Sequence, residues 1–425
     1  METHDEVAVT RAWVLHPDIT SNRNRRDGAA ALEEAVSLAL ALPELEVVGS
    51  NVVPLPKTRA GYLFGSGKIQ ELGAAFKAAE VDLVLIDGPV TPVQQRNLEK
   101  DWGVKILDRT GLILEIFSDR ARTREGVLQV EMAALSYQRT RLVRAWTHLE
   151  RQRGGLGFVG GPGETQIEAD RRAIDDALTR LRRQLSKVVK TRELHRSARK
   201  KVPFPIVALV GYTNAGKSTL FNRLTGANVM AKDMLFATLD PTMRSVELPS
   251  GKEIIMSDTV GFISDLPTQL VAAFRATLEE VLDADLILHV RDISHEETEE
   301  QARDVQVIMA DLGVNKDIPQ LEVWNKIDKL TPDAHAGFTA QAERREDVFA
   351  VSAITGEGLD ALLDTVSTTL TDPRTERVLT IPYSDGRKRA WLFEQGIITN
   401  EDQTENGFEV TVYWTARQEK NFRQM

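Results

Sequence analysis

A run of eight residues at 211–218 has the types and spacing needed to bind phosphate, and it reads GYTNAGKS. It matches G-x-x-x-x-G-K-[ST] and lies between an apolar run at 206–210 and a helical pattern at 219–224, which predicts a phosphate loop. Glycines let backbone N–H groups turn towards phosphate oxygens, Lys217 neutralises negative charge, and Ser218 offers an oxygen to Mg²⁺. We predict nucleotide contacts from every position of the run, namely Gly211, Tyr212, Thr213, Asn214, Ala215, Gly216, Lys217 and Ser218.

A second element begins 40 residues after Ser218, where residues 258–261 read DTVG behind an apolar run at 254–256. A carboxylate at a strand end can hold the water shell of Mg²⁺, and the N–H of Gly261 can sense a γ-phosphate. The pattern D-x-x-G is common by chance, but its place behind a phosphate loop makes it informative. We expect nucleotide contacts from Asp258, Thr259, Val260 and Gly261.

A third element, NKID at 325–328, ends the apolar run 320–324 and selects the base. The carboxylate of Asp328 can accept both the N1–H and the exocyclic amine of guanine, a donor pair that adenine lacks, so GTP is preferred over ATP. Lys326 would pack along the base and Asn325 would brace the phosphate loop. The predicted base contacts are Asn325, Lys326, Ile327, Asp328, Ser352, Ala353 and Ile354.

The elements that must position these motifs alternate between strand and helix through residues 206–370, which predicts a doubly wound α/β domain. Residues 7–107 alternate in the same way and predict a smaller, mostly parallel α/β domain. Near the C-terminus, strand-like runs at 377–382 and 409–414 follow Pro373. The predicted ranges are 1–114 for the N-terminal α/β domain, 115–201 for a helical hairpin arm, 202–371 for the P-loop GTPase domain and 372–425 for a small α+β domain.

The arm is predicted from two apolar stripes with alternating 4-3 spacing, which favour two antiparallel helices. Arg139 interrupts the first stripe. Between the helices, residues 154–163 include six glycines, too flexible for a core element and too long for a tight turn. The segment is either a floppy linker or a loop that orders against a partner.

Composition bounds the class of protein. The chain has 425 residues, no cysteine and 42% hydrophobic residues, which excludes disulfides and thiolate metal sites and indicates a globular protein of the reducing cytoplasm. The start lacks a signal peptide and no run is long enough to span a bilayer, so we expect a soluble protein without a transmembrane segment. The net charge of -10 is uneven, because residues 115–201 hold 20 Lys and Arg against 11 Asp and Glu.

These motifs resemble the translation-factor-related GTPases, and the flanking residues resemble the HflX family of ribosome-associated GTPases. The resemblance implies a GTPase that the ribosome stimulates, and that binds the large (50S) subunit and its rRNA through the N-terminal domain and glycine-rich loop. It also implies splitting of stalled or idle ribosomes under stress. The stretches that carry the resemblance are DRTGLILEIF (108–117), RLVRAWTHLERQRGG (141–155), GPGETQIEADRR (161–172), GYTNAGKSTLFNRLTG (211–226), LFATLDPT (235–242) and DTVGFISDLP (258–267).

The resemblance also implies roles within the site. It places the Mg²⁺-binding threonine at Thr238, although Thr242 is a competitor by chemistry alone, and it suggests K⁺ coordination by Asn214. Mg²⁺ would be held by Ser218 and Thr238 directly and by Asp258 through its water shell. The expected catalytic residues are Lys217, Thr238 and Gly261, and further nucleotide contacts are expected from Phe236, Ala237, Thr238, Leu239 and Asp240.

Two positions depart from the related proteins. Phe262 stands where many related GTPases have a glutamine that orients the attacking water, so intrinsic hydrolysis should be slow. Gly160 stands where many HflX proteins have arginine, which weakens the case for phosphate pairing there.

Two other functions stay open from the residues. The run GYLFGSGK at 61–68 has part of a phosphate-loop pattern, so one alternative is an RNA-remodelling ATPase with a second nucleotide site in the N-terminal domain, although a plain strand-to-helix turn is favoured there. The other alternative is a GTP-dependent adaptor that binds proteins only. For the GTPase that the resemblance implies, we expect a monomer.

Overall fold

The computed structural model describes residues 9–21, 26–152, 162–199, 204–227, 234–236, 238–239, 241–264, 279–371, 374–404 and 407–423. The chain divides into two compact units. The first comprises Met1–Glu247 and Glu253–Asp360, and the second comprises Leu248–Lys252 and Ala361–Met425. None of the helices in these described ranges is both long enough and apolar enough to cross a membrane.

The N-terminal part of the first unit is a four-stranded parallel sheet with strand order β2-β1-β3-β4. Parallel strands are joined by crossover helices, so their carboxyl ends meet at one edge of the sheet. This confirms the mostly parallel α/β architecture predicted for this region. The elements are β1 (Thr10–Ile19), α1 (Gly28–Ala39), β2 (Leu45–Leu55), α2 (Ser66–Ala78), β3 (Leu83–Ile86), α3 (Pro92–Trp102) and β4 (Lys105–Asp108).

Local chemistry fixes where these helices begin. Thr91 and Gln94 form a capping box at α3, with Pro92 in its first turn. Asp108 ends β4 and caps α4 (Arg109–Arg120), because its carboxylate accepts the Gly111 N–H at 2.9 Å. A strand end and a helix start therefore meet at Asp108, so Arg109 is fixed at the carboxyl edge of the sheet.

The arm consists of α5 (Arg124–Gln152) and α6 (Pro162–Arg199). Leu128, Leu178 and Leu181 are buried, and Arg139, the residue that interrupts the apolar stripe, lies 2.7 Å from an Asp175 carboxylate oxygen on the other helix. The interruption is therefore a cross-helix ion pair. The glycine-rich residues 153–161 and the side chains at 142–152, 162–167 and 191–199 lie outside what the structure describes, and the predictions made there stay predictions.

The rest of the first unit is a six-stranded sheet in the order β10-β9-β8-β5-β7-β6, parallel except for the edge strand β6. The phosphate-loop strand β5 is central, which places the loop at the carboxyl edge where doubly wound sheets bind ligands. This confirms the predicted doubly wound fold. The elements are β5 (Ile206–Gly211), α7 (Lys217–Thr225), β6 (Thr242–Glu247), β7 (Glu253–Asp258), α8 (Glu279–Leu282), β8 (Leu286–Asp292), α9 (Thr298–Leu312), β9 (Gln320–Asn325), a 3₁₀ turn (Ile327–Lys329), α10 (Pro332–Ala342) and β10 (Val348–Ala350). The next helix, α11 (Leu359–Thr369), begins in this unit and continues into the second.

The second unit contains an antiparallel sheet with strand order β11-β13-β12. Its core consists of Ile381, Leu392, Ile397, Val410, Val412 and Trp414. The predicted small α+β domain is confirmed here, with one further strand and two helices that the sequence pattern missed. The elements are β11 (Arg374–Pro382), α12 (Gly386–Glu394), β12 (Ile398–Thr404), β13 (Gly407–Thr415) and α13 (Ala416–Arg423).

Candidate functional site

The loop between β5 and α7 has the backbone shape of a phosphate cradle. Asn214 and Gly216 have φ of 60° and 93°, in the left-handed region that turns successive N–H groups to one side. A side chain at Gly216 would collide with the Asn325 amide, so the glycine is needed for close approach as well as for its φ. The strand-loop-helix context predicted for residues 211–218 is what the structure shows.

Lys217 opens α7 and is buried beneath this loop. Its ammonium donates to the Tyr212 carbonyl at 2.7 Å, and burial lowers the pKa of Lys217 to about 8, although the nearby Asp258 carboxylate acts in the opposite direction. A buried cation at the base of a cradle of N–H groups favours a polyanionic ligand, because phosphate would supply the missing counter-charge.

Three oxygens meet beside Lys217. Ser218 Oγ lies 2.7 Å from Asp258 Oδ2 and 2.8 Å from Thr238 Oγ1, and Thr238 Oγ1 lies 3.1 Å from Asp258 Oδ2. The other Asp258 oxygen, Oδ1, is buried and has no hydrogen-bond partner among the described residues. Burial raises the pKa of the Asp258 carboxyl against the effect of the two hydroxyls and Lys217. An all-oxygen donor set with a spare carboxylate oxygen fits Mg²⁺.

The structure also distinguishes the two candidate threonines. The Thr238 hydroxyl is buried against Asp258, whereas Thr242 begins β6 and pairs with Asp258 through the backbone ladder. Of the other residues predicted here, Phe236 and Leu239 are buried in the core. Ala237 and Asp240 lie outside the described residues.

The D-x-x-G segment lies against the phosphate loop. A Cβ at Gly261 would be 2.8 Å from Thr213 Cα and 2.9 Å from Lys217 Nζ, so the backbone of Gly261 lies against both the phosphate loop and the Lys217 ammonium. Thr213 N–H donates to the Phe262 carbonyl at 2.7 Å. The Phe262 side chain is 1% exposed and packs in the core, so it cannot orient a water molecule at this site. Thr259 donates to the Leu209 carbonyl at 2.6 Å and holds the strand end in place.

The residues predicted to bind the base lie at the ends of β9 and β10. Asn325 Nδ2 donates to the Ala215 carbonyl at 2.9 Å, and Asn325 Oδ1 accepts the Ala353 N–H at 3.0 Å, so one side chain joins the two loops. Ser352 Oγ donates to Asp328 Oδ1 at 2.6 Å, and Asp328 itself is exposed. The exposed carboxylate is available to a base, whereas Ile327 is buried and anchors the turn.

Sequence reasoning missed several residues of this site. Asp292 at the end of β8 lies 2.7 Å from Lys326 Nζ and holds that side chain in place. Met234 and Thr219 line the cavity at the phosphate loop together with Thr213, Lys217, Ser218 and Thr238. A carboxylate at the carboxyl end of the strand beside β9 was the available signal for Asp292. Ile354, predicted to contact the base, is 65% exposed beside Ala353.

Four family models match consecutive parts of the chain. They are described as "GTP-binding GTPase N-terminal" over residues 29–118, "GTP-binding GTPase Middle Region" over 120–199, "50S ribosome-binding GTPase" over 206–326 and "HflX C-terminal domain" over 337–425. Together they cover the N-terminal α/β region from α1 onward, the arm, most of the phosphate-loop sheet and the C-terminal unit.

Curated relatives match along most of their own length. The GTPase HflX of Magnetococcus marinus is 49% identical over 395 residues, covering 92% of this chain and 88% of that protein. The GTPase HflX of Escherichia coli is 43% identical over 398 residues, covering 93% and 91%. Among solved structures, a GTP-binding protein from the archaeon Sulfolobus solfataricus in complex with GDP has a TM-score of 0.45 and 22% identity, covering 85% of this chain and 98% of that one. With relatives of this identity along nearly all of its length, and with a phosphate loop, a D-x-x-G segment and the exposed Asp328 carboxylate at one sheet edge, this chain belongs to the HflX family and is a GTPase.

Proposed function

We propose that this GTPase binds the large ribosomal subunit in its GTP state and leaves it after hydrolysis. The observation that carries the proposal is the surface of α6, where all seven Arg and Lys side chains within residues 171–190 are exposed. They are Arg171, Arg172, Arg180, Arg182, Arg183, Lys187 and Lys190. The family model named for 50S-ribosome binding matches the adjoining phosphate-loop region and supports the same partner.

Ribosomal RNA is the ligand that such a surface favours. Phosphates on an RNA strand attract Lys and Arg, and binding releases counterions, so affinity falls steeply with salt. Helical RNA is recognised mainly by its shape and backbone, which a helical hairpin with exposed cations can contact. The acidic remainder of the chain would direct this contact to the arm, because it repels RNA elsewhere.

The residues of the site have distinct tasks in hydrolysis. Lys217 neutralises phosphate charge, and Gly261 presents its N–H to the γ-phosphate. Ser218 and Thr238 would hold Mg²⁺ directly, with Asp258 at its water shell, and the ion would neutralise charge that develops on the phosphate oxygens. Asp328, oriented by Ser352, selects guanine. A γ-phosphate would add contacts to the Thr238 and Gly261 segments that GDP cannot make, which makes these segments the switch.

Phe262 is buried and cannot orient the attacking water, so hydrolysis needs an additional accelerating group. We propose that the large subunit accelerates it and that K⁺, held with the help of Asn214, supplies positive charge beside the phosphates. Asn214 lies in the phosphate loop with its backbone already in the left-handed region. Equal GTPase rates in K⁺ and in Na⁺, with and without 50S subunits, would contradict this part of the proposal.

The biological role that we propose is separation of stalled or idle ribosomes under stress, by a monomer in the cytoplasm. Its support is the family resemblance and the arm, since a factor that occupies the large subunit can displace the small one. Light scattering of intact ribosomes mixed with the protein and GTP measures splitting directly, and a signal that does not change would restrict the role to subunit binding.

Removal of positive charges tests whether the arm binds ribosomal RNA. In the triple variant Arg180→Ser, Arg182→Ser, Arg183→Ser, we expect affinity for purified 50S subunits to fall at least 10-fold near 100 mM salt, and the slope of log K against log salt to become shallower by about two. The control removes three exposed cations from the phosphate-loop region, Arg303, Lys316 and Arg344, and should leave the slope unchanged. Equal slopes for the two triple variants would refute the assignment of RNA binding to α6.

A further inference from the structure

A carboxylate of the N-terminal sheet region lies inside the GTPase region. Glu34 on α1 accepts a hydrogen bond from the Tyr212 hydroxyl at 2.5 Å and another from Ser264 Oγ at 3.1 Å. Its side chain is only 9% exposed. Tyr212 belongs to the phosphate loop and Ser264 follows the D-x-x-G segment, so one carboxylate contacts both of these parts of the nucleotide site.

Two arginines keep this carboxylate charged. Arg109 Nη2 lies 2.5 Å and Arg26 Nη1 lies 3.1 Å from Glu34 Oε1. Burial opposes ionisation, yet Arg109 and Arg26 hold the pKa of Glu34 below its usual range. Arg109 is itself anchored by Asp87 at 2.6 Å. The acceptor is thus fixed by the carboxyl edge of the N-terminal sheet.

The Tyr212 hydroxyl makes two bonds at once. It donates to Glu34 and accepts the backbone N–H of Ser264 at 2.8 Å. Burial raises the pKa of Tyr212, so its hydroxyl stays protonated and able to donate. The Tyr212 carbonyl meanwhile accepts from Lys217. This residue therefore connects the phosphate-binding cation, the segment after Gly261 and Glu34.

Two arginines also form hydrogen bonds with Ser264, in the segment after Gly261. Arg109 Nη2 donates to the Ser264 carbonyl at 3.0 Å, and Arg26 Nη1 donates to Ser264 Oγ at 2.6 Å. Ser264 thus has its N–H, its carbonyl and its hydroxyl bonded to this cluster. Ser264 is three positions after Gly261 and all its polar groups are hydrogen-bonded. The Gly261 backbone therefore has little freedom to move.

We infer that Glu34 is a positioning residue of the GTPase centre, which acts through Tyr212 and Ser264 to fix the segment that presents the Gly261 N–H to the γ-phosphate. A segment already held in place loses less conformational entropy when the γ-phosphate binds, so the cluster favours GTP over GDP. By linkage, the γ-phosphate then stabilises α1 to the same extent. The inference depends on GTP binding and is independent of any ribosomal partner.

The test is Tyr212→Phe, which removes the hydroxyl and keeps the buried ring. We expect affinity for a non-hydrolysable GTP analogue to fall about 3- to 10-fold, as for the loss of one buried hydrogen bond, while affinity for GDP changes less than about 2-fold. The matched control is Tyr137→Phe, because the Tyr137 hydroxyl also donates to a buried carboxylate, that of Asp108, at 2.5 Å but lies away from the nucleotide. It should change neither affinity.

Three outcomes would overturn the inference. If Tyr212→Phe lowers both affinities equally, the tyrosine only shapes the phosphate loop, and if it changes neither, the cluster does not act on the γ-phosphate. Hydrogen exchange of the α1 amides is the second readout. We expect slower exchange with the GTP analogue than with GDP in the unmodified chain, and loss of that difference in Tyr212→Phe. Equal α1 exchange in the two nucleotides would also overturn it.

Discussion

The Ser352 hydroxyl donates to Asp328 at 2.6 Å and so orients the carboxylate that we propose selects guanine. We predict that Ser352→Ala lowers affinity for GDP about 3- to 10-fold, because the carboxylate must then be ordered by the base alone. Fluorescent GDP titration measures the loss. Ser257→Ala is the matched control, since the buried Ser257 hydroxyl has no partner in the described part of the chain. Equal effects of the two substitutions would contradict an orienting role for Ser352.

The two threonines near Asp258 give a paired prediction. Thr238→Ala should slow GTP hydrolysis at saturating nucleotide at least 10-fold, with GDP affinity almost unchanged, because this hydroxyl is needed when a γ-phosphate and Mg²⁺ are present. Thr242→Ala should stay near the unmodified rate. Phosphate release assayed over a Mg²⁺ series makes the comparison. A larger loss in Thr242→Ala than in Thr238→Ala would reverse our assignment.

Substitution of two lysines, Lys217 and Lys68, distinguishes the phosphate loop from the partial pattern at 61–68 as the site of hydrolysis. Lys217→Ala should reduce GTP hydrolysis at least 100-fold, because a buried cation at the phosphates is lost. Lys68→Ala should stay within about 2-fold, since Lys68 lies on α2 and its ammonium is 2.6 Å from the Glu71 carboxylate. The same assay with ATP tests for a second nucleotide site. ATP hydrolysis that persists in Lys217→Ala would require such a site.

His289 on β8 predicts a pH dependence of stability. Burial lowers the pKa of His289 to about 4, whereas the unfolded side chain titrates near 6.5. Between these two pKa values His289 is protonated in the unfolded state but neutral in the folded state. The free energy of unfolding therefore falls by ~3 kcal/mol as pH drops from about 6.5 to 4. Above pH 6.5 this contribution is constant.

Denaturant unfolding across pH 4 to 7 checks this for the unmodified chain and for His289→Gln. The variant should lose less stability on acidification, and His295→Gln, at an exposed histidine, should follow the unmodified chain. Parallel curves for His289→Gln and the unmodified chain would show that another group carries the acid sensitivity.

Much of the GTPase region could be predicted because its strands are buried runs and its motifs stand at their ends. β6 was missed, since four of the six residues of this antiparallel edge strand are polar and only Val246 is buried. α10 was missed because only Ala342 is buried along it. In the C-terminal unit, β12 reads ITNEDQT and is mostly exposed, so no apolar pattern marks it.

The motif residues of the site could be predicted from the sequence, but the residues of the N-terminal region that hold them in place could not. Lys217, Asp258 and Asp328 follow from local spacing, because their neighbours in sequence define their place. Glu34 and Arg109 are far from the phosphate loop in sequence and reach it only through packing of the two sheets. No local pattern encodes such a contact, so only the fold could show that the N-terminal region contributes to the nucleotide site.

The central claim is that GTP controls binding to the large ribosomal subunit. Its most direct test is co-sedimentation with purified 50S subunits in a non-hydrolysable GTP analogue, in GDP and without nucleotide, with Lys217→Ala as the nucleotide-binding control. We predict pelleting that needs the analogue, weakens with salt and is lost in Lys217→Ala. Failure of the unmodified chain to pellet in any nucleotide state, or equal pelleting in the analogue and in GDP, would contradict the claim.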